Sequence, residues 1–150
     1  MNTNAYTLSY AERVDCIYSV CSVSDCCEPE KVLTMPMCDC GAIWDTGAVA
    51  SVISKKLVKE LNLQADGRAI LIHADGQSQV YTYTVNLKLS NGIVMQGLHV
   101  SAADLIDTEI LIGMDIISLC DFEISLLQGK TKFSFQIPSV RDIDFTKTTI

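Results

Sequence analysis

The residue best suited to do chemistry in this sequence is an aspartate at the end of an apolar run. Residues 42–44 lead straight into Asp45-Thr46-Gly47-Ala48. A carboxylate can take a proton from water or give one to a carbonyl oxygen, the two transfers that hydrolysis needs without a metal or a covalent nucleophile. Two carboxylates held close share one proton, because both cannot be charged at that distance. Asp-Thr-Gly is a common tripeptide, so its surroundings must decide what it indicates.

A second segment completes the pattern. The run Ile110-Leu111-Ile112-Gly113-Met114-Asp115 begins about 65 residues after Asp45. In this order and at this separation, the two segments resemble the retropepsin family of aspartic proteases, which includes the retroviral proteases and their cellular relatives. The resemblance covers roughly residues 31–137. It implies an aspartic endopeptidase that acts on a peptide or protein substrate and uses no cofactor and no metal.

The resemblance also implies a role for each residue of the two segments. Asp45 would be the catalytic carboxylate, Thr46 would hydrogen-bond across a dimer axis, and Gly47 would offer its amide to the carboxylate. Ala48 would border the substrate. In the family an apolar-apolar-glycine segment passes beneath the Asp-Thr-Gly loop. Here this structural support would come from Leu111, Ile112, Gly113 and Asp115.

One Asp-Thr-Gly per chain predicts a homodimer. A single-chain pepsin-like enzyme needs two lobes and far more than 150 residues. The second aspartate must therefore come from another copy, and a two-fold axis through the dyad is the economical arrangement. The competing hypothesis is an inactive module of the same fold that binds peptides or acts as a dimeric scaffold.

The dimer contacts are expected to differ from those of the retroviral enzymes. Those enzymes carry acidic residues after Asp-Thr-Gly-Ala and an arginine after the later glycine, and these form a charged network. Here Val49, Ala50 and Met114 stand at those positions, so the chain looks more like cellular and bacterial retropepsin-like proteins. Strand pairing and apolar packing should replace the network. The last hairpin, Phe122 to Ile137, is the candidate for part of it. Phe133, Phe135 and Ile137 alternate there and would leave an apolar stripe to cover, unless they face the chain's own core.

The elements that must position these residues are mostly strands. Asp75-Gly76 and Asn91-Gly92 lie between alternating runs and predict two tight hairpins. Strict alternation over residues 81–89 predicts a strand with one face in water. Ser54 predicts the start of a helix, and a last hairpin is expected over residues 122–137. The fold is therefore predicted to be mainly β, a small closed barrel of the acid-protease type with one or two short helices.

The first of these hairpins falls where the family carries its flap, the hairpin that closes over a bound peptide. The flap residues expected to bind substrate are Ala74, Asp75, Gly76 and Gln77. Such a hairpin excludes water and adds strand-like hydrogen bonds to the peptide backbone. An ordinary surface hairpin is the alternative interpretation.

Three stretches are expected along the chain. Residues 1–30 form a cysteine-rich extension of uncertain structure, residues 31–137 form the protease domain, and residues 138–150 form a loose tail. The extension could also be a pro-segment that covers the cleft until it is removed. Its cysteines lack the paired Cys-x-x-Cys spacing of zinc sites, so free or buried thiols are favoured over structural zinc.

Composition excludes several classes of function. Eighteen acidic and eleven basic residues give a net charge of −7, so the chain has no basic surface for nucleic acid. No stretch approaches the ~20 apolar residues that cross a bilayer, and no signal peptide is visible, so no membrane partner is expected. Seven cysteines, an odd number, fit poorly with a full set of disulfides. We therefore expect a cytoplasmic protein with reduced thiols.

Overall fold

The computed structural model describes residues 4–26, 31 and 36–147. This part of the chain is mainly β, with ten strands and two short α-helices. The strands are β1 (Ala5–Ser9), β2 (Tyr18–Asp25), β3 (Cys38–Trp44), β4 (Val52–Ser54), β5 (Gly67–His73), β6 (Gly76–Lys88), β7 (Val94–Ala103), β8 (Ile110–Ile112), β9 (Asp121–Ser125) and β10 (Lys132–Gln136). The helices are α1 (Lys55–Glu60) and α2 (Met114–Ile117), and a 3₁₀ turn covers Leu127–Gly129.

Six of the strands close into a barrel. Their hydrogen-bonded order is β2-β3-β8-β4-β7-β6, and β6 pairs back onto β2. The β3–β8 and β4–β7 pairs are parallel, and the other pairs are antiparallel. The predicted small closed barrel is therefore confirmed. No helix in the described part of the chain has the length and apolar character needed to cross a membrane.

The long strand β6 has two neighbours along one edge. Its first part, from Gly76 to Thr82, pairs with β5, and its second part, from Val85 to Lys88, pairs with β2. Strand β7 occupies the opposite edge. The first part of β6 thus belongs to a hairpin that projects from the barrel, and the second part closes the barrel.

Residues 1–30, which the sequence predicts to be an extension, contain the strands β1 and β2, and both strands are paired. Strand β1 pairs with β10, which also pairs with β9 in a separate three-stranded sheet. Strand β2 lies between β3 and β6 in the barrel. Of the extension's four cysteines, Cys27 lies outside the described residues.

Helix α1 begins where the sequence predicts. The Ser54 hydroxyl accepts a hydrogen bond from the Leu57 amide at 3.0 Å, which satisfies one of the free amides of the first turn. Leu57 is fully buried, and the helix ends at Glu60 with Leu61 as its C-cap. Helix α2 begins directly after β8 and has Asp115 in its first turn, where negative charge is favoured.

The aromatic residues of β10 join the three-stranded sheet to the barrel. The ring centroids of Phe133 and Phe135 lie 5.0 and 4.7 Å from that of Trp44. Both phenylalanines are almost completely buried within the single chain. They face the chain's own core, so the prediction that they form an apolar stripe at a dimer interface is wrong.

The predicted wet face of β6 is also wrong over part of the strand. Thr82 and Asn86 are buried, although Thr84 between them is half-exposed. The Asn86 side chain donates to the carbonyl of Asp25 at 3.1 Å and accepts from the Gly97 amide at 3.1 Å, next to a bulge in the β6–β7 pairing. Hydrogen bonds to Asp25 of β2 and from Gly97 of β7 satisfy the amide of Asn86 that is buried here.

The start of the C-terminal tail is anchored, contrary to the expectation that it is loose. The Asp121 carboxylate accepts hydrogen bonds from the amides of Val140 and Arg141, both at 2.8 Å. The Ser139 hydroxyl donates to the same carboxylate. These bonds lower the pKa of Asp121, with the Ser139 hydroxyl as the largest cause.

Candidate active site

Asp45 lies directly after β3, at the point where this strand runs parallel to β8. Trp44 pairs with Ile112 in the register of the two strands, and the Asp45 amide donates to the Ile112 carbonyl at 2.9 Å. The half-buried Asp45 carboxylate accepts a hydrogen bond from the Gly47 amide at 2.8 Å. The backbone therefore fixes the carboxylate at the mouth of the barrel, with an amide aimed at one of its oxygens.

The segment after β8 supports this loop at very short range. The Met114 amide donates to the Ala48 carbonyl at 2.8 Å. A methyl group added at Gly113 would lie 2.6 Å from the carbonyl carbon and 2.8 Å from the carbonyl oxygen of Ala50. Real side chains do not come so close to backbone, so only glycine lets the two segments lie against each other.

A serine and an aspartate link the end of the loop to α2. The Ser51 amide and hydroxyl donate to the two oxygens of Asp115, at 3.0 and 2.8 Å. The same hydroxyl accepts from the Gly113 amide at 3.1 Å. Ser51 is completely buried, so these bonds are shielded from water. Sequence reasoning assigned Asp115 to the support of the site but not Ser51, its partner 64 residues away.

A cleft of about 600 Å³ opens beside Asp45. Its floor and one wall come from the Asp45 loop, Val52 and Leu111, and its other walls come from residues 69–73 of β5 and from Ser101, Ala103 and Leu105. Most of these side chains are apolar. Among the described residues that line the cleft, Asp45 is the only carboxylate.

The hairpin β5–β6 covers the cleft with its strand rather than with its tip. His73 pairs with Gly76, so the two-residue turn is Ala74-Asp75 and not the predicted Asp75-Gly76. Gly76 nevertheless has a positive φ of 129°, which disfavours any side chain there. The four residues predicted to bind substrate lie at the exposed tip, whereas the cleft is lined by residues 69–73. Ile70 and Ile72 are typical of any apolar strand, and nothing in their spacing predicted that they line the cleft.

Several residues that follow Asp45 are exposed to solvent in the single chain. Thr46 and Ala50 are exposed, and Val49 is 87% exposed. The nearby Cys16 is exposed too, and partial desolvation followed by the charge of Asp45 raises the pKa of its thiol. Sequence reasoning did not place Cys16 here, because it precedes Asp45 by a whole strand pair.

The described residues contain no group of three or more His, Cys, Asp or Glu side chains arranged to hold a metal ion. The six cysteines within them are all free thiols. Among the described residues that line the cleft, the ionisable side chains are Asp45 and His73.

Comparison with known proteins agrees with this geometry. A solved structure similar to this one is the crystal structure of a retropepsin-like aspartic protease from Rickettsia conorii, with a TM-score of 0.56 and 15% sequence identity. The match covers 89% of this chain and 93% of that chain, so the two share their fold. No curated protein matches the sequence significantly.

The sequence itself matches a family model described as gag-polyprotein putative aspartyl protease. The match covers residues 39–118, which is more than half of the chain. It begins at β3 and ends just after α2, so it includes both segments that build the site. The chain therefore belongs to the gag-polyprotein putative aspartyl protease family and has a retropepsin-like fold.

Proposed function

We propose that two copies of this chain form an aspartic endopeptidase, with one Asp45 from each copy in the active site. The observation that carries the proposal is the single carboxylate at the wall of the cleft, held by the Gly47 amide. One carboxylate cannot act as acid and base in the same step, so a single chain is incomplete. The exposed Thr46 and Val49 beside it are available to a second copy.

In this proposal the dyad carries one proton between two carboxylates. The charged Asp45 takes a proton from water, and the resulting hydroxide attacks the peptide carbonyl carbon. The protonated Asp45 gives its proton to the carbonyl oxygen as the tetrahedral intermediate forms. When the C–N bond breaks, the leaving nitrogen receives the proton that the first Asp45 took from water. One hydroxyl of the intermediate returns its proton to the dyad as the carbonyl re-forms, which restores the shared proton. Aspartic proteases share a proton between two aspartates in the same way.

The substrate in this proposal is an extended peptide with apolar side chains near the cleaved bond. The cleft walls from Val52, Leu111 and residues 69–73 are apolar and would receive such side chains. The β5 edge that faces away from β6 has no paired strand among the described residues, so it can accept hydrogen bonds from an added strand. We place the enzyme in the cytoplasm, a reducing compartment in which disulfides form only transiently.

The decisive test is cleavage of a peptide library by Asp45→Asn. The amide cannot exchange the shared proton, so cleavage should fall to background while the dimer stays folded. Asp142→Asn, which alters an exposed carboxylate outside the cleft, is the matched control and should retain activity. A folded Asp45→Asn protein that still cleaves would refute the aspartic mechanism.

Pepstatin distinguishes the enzyme from an inactive module of the same fold. The wild-type protein should bind pepstatin and lose activity in proportion to occupancy. Tight binding without cleavage of any library peptide would instead favour the dimeric peptide-binding or scaffold module.

A further inference from the structure

Two cysteines face each other across the strands that precede the site. Cys21 on β2 pairs directly with Cys40 on β3 in the antiparallel register, and their sulfur atoms lie 3.5 Å apart. A disulfide has a sulfur–sulfur distance of about 2.05 Å and bridges Cβ atoms about 3.5–4.5 Å apart, which is at or slightly below the separation of about 4.5–5.5 Å for directly opposed strand residues. Rotation of the two side chains that brings the sulfurs about 1.5 Å closer, with a small approach of the strands, would reach bonding distance.

We propose that Cys21 and Cys40 are a reversible oxidation site, at which a small-molecule disulfide of the glutathione class cross-links β2 to β3. This site is separate from the Asp45 cleft and does not depend on the proposed protease activity. In the structure both thiols are reduced, so the cross-link is the modified form.

The reaction proceeds by two exchanges. The Cys40 thiol loses its proton, and its sulfur attacks glutathione disulfide to give a mixed disulfide and one glutathione thiolate. The Cys21 thiol then loses its proton and attacks the Cys40 sulfur, which expels the second glutathione thiolate. Two protein thiols are oxidised, one glutathione disulfide is reduced to two glutathione molecules, and the two protons neutralise the leaving thiolates.

The environments of the two thiols set this order. Cys40 is half-buried, whereas Cys21 is only 2% exposed. The hydrogen bond between the thiols, burial, and the charges of Glu109 and Asp39 raise the pKa of Cys21. Cys21 is therefore the poorer first nucleophile, but within the mixed disulfide it is already in contact with the sulfur that it must attack.

The register selects this pair among the described cysteines. Cys38 lies on the same face of β3 as Cys40, two residues away, but the residue opposite it is Val23. Cys120 follows α2, and its thiol donates to the Ile116 carbonyl. Cys16 lies in the segment before β2, beside Asp45. Cys26 comes directly after the last residue of β2 and is exposed. None of these four cysteines has a thiol directly opposite it in the strand pairing.

The cross-link would fix the position of β2, the strand that closes the barrel. Strand β2 joins β3 to β6, so it completes the ring. A bond between residues 21 and 40 closes a loop of about 20 residues in the unfolded chain and lowers its entropy. For a chain of this size we expect a rise in Tm of about 5–10 °C.

The test is incubation of the full chain with oxidised glutathione at pH 8.5, followed by thiol blocking, non-reducing tryptic mapping and thermal melting. Trypsin cuts after Arg13, Lys31 and Lys55, so the cross-link joins the fragments 14–31 and 32–55. The oxidised wild type should contain this linked pair, show the rise in Tm, and lose both on reduction with dithiothreitol.

Four variants identify the two cysteines that form the cross-link. Cys40→Ser and Cys21→Ala should each lose the linked fragments and the Tm rise. The matched controls Cys38→Ser and Cys16→Ser should keep both. Because Cys40 is half-buried, its serine variant keeps the test decisive if the buried Cys21→Ala chain fails to fold. Linked fragments that persist in Cys40→Ser, an oxidised wild type with only mixed disulfides, or an unchanged Tm of the linked form would overturn the proposal.

Discussion

Ser51→Ala removes a hydroxyl that is hydrogen-bonded in two directions inside the protein. In the wild type this hydroxyl donates to Asp115 at 2.8 Å and accepts from the Gly113 amide at 3.1 Å. The substitution deletes one oxygen atom and leaves the Ser51 amide bonded to Asp115. Its effect therefore measures how much the hydrogen bonds of the Ser51 hydroxyl, which join the Asp45 loop to α2, contribute to stability.

The expected cost follows from the two groups that lose a partner. The Gly113 amide is buried and would be left without its acceptor, which costs about 1–3 kcal/mol. The hydrogen bond to the Asp115 carboxylate is charge-assisted and contributes about 1.5–3 kcal/mol. Together we expect Ser51→Ala to lower the free energy of unfolding by about 2.5–6 kcal/mol, which moves the urea midpoint down by roughly 1–3 M for an m-value of about 2 kcal/mol/M.

The matched control is Ser19→Ala. Ser19 is also buried, but its hydroxyl has one described partner, the Trp44 ring nitrogen at 2.9 Å, and it lies on β2 away from α2. Its substitution should cost about 1–2 kcal/mol. Urea unfolding followed by Trp44 fluorescence measures both variants on the same signal.

Catalytic rates provide the second measurement. If these hydrogen bonds hold the Asp45 loop in place, kcat of folded Ser51→Ala should fall at least tenfold, because a small misplacement of a catalytic group strongly lowers the rate. Ser19→Ala should stay within about twofold of wild type per folded molecule. A Ser51→Ala protein that unfolds no earlier than Ser19→Ala, with a normal kcat, would refute the reasoning.

Three further predictions concern the flap, acid stability and assembly. Gly76→Val should reduce turnover more than stability, because a β-branched residue resists the φ of 129° at the hairpin; normal steady-state kinetics would show that the hairpin is not a flap. Hydrogen bonds from Thr84 and then Thr82 lower the pKa of Asp66, so its stabilisation is present above the unfolded pKa of about 3.9 and is lost as pH falls through the lower folded value. Asp66→Asn should therefore lower Tm at pH 7, and its difference from wild type should shrink at pH 3; an equal difference at both pH values would contradict this. Specific activity should fall on dilution, and excess Asp45→Asn chains should poison the wild type by forming heterodimers, whereas a monomer in sedimentation with constant specific activity would exclude the dimer.

Local signals explain the parts of the fold that the sequence predicts. The start of α1 at Ser54 depends on one hydroxyl and a neighbouring amide. The second hairpin forms at Asn91-Gly92 as predicted, but its loop also includes Ser90, because Leu89 pairs with Ile93. The approach of the Asp45 loop to β8 is long-range, but the family motif places its two halves in the sequence. These features were predictable because each is specified by a short run of residues.

The remaining features arise from contacts that no short run encodes. The alternating run predicts that Asn86 lies on a face in water, and only the folded chain shows that it is buried and bonded to Asp25, some 60 residues earlier. The sequence contains many serines, and only the folded chain shows that Ser51 is hydrogen-bonded to Asp115. The same holds for Phe133 and Phe135, whose alternation fits an interface as well as a core until Trp44 is seen beside them.

The division of β6 into two stretches has a consequence for how this fold can vary in sequence. The stretch that pairs with β5 holds the strand that lines the cleft, and the stretch that pairs with β2 completes the ring. Insertions or substitutions before Thr82 can therefore reshape the hairpin beside the cleft without breaking a hydrogen bond between β6 and β2. One strand thus keeps the part of the fold that borders the cleft independent of the part that closes the barrel.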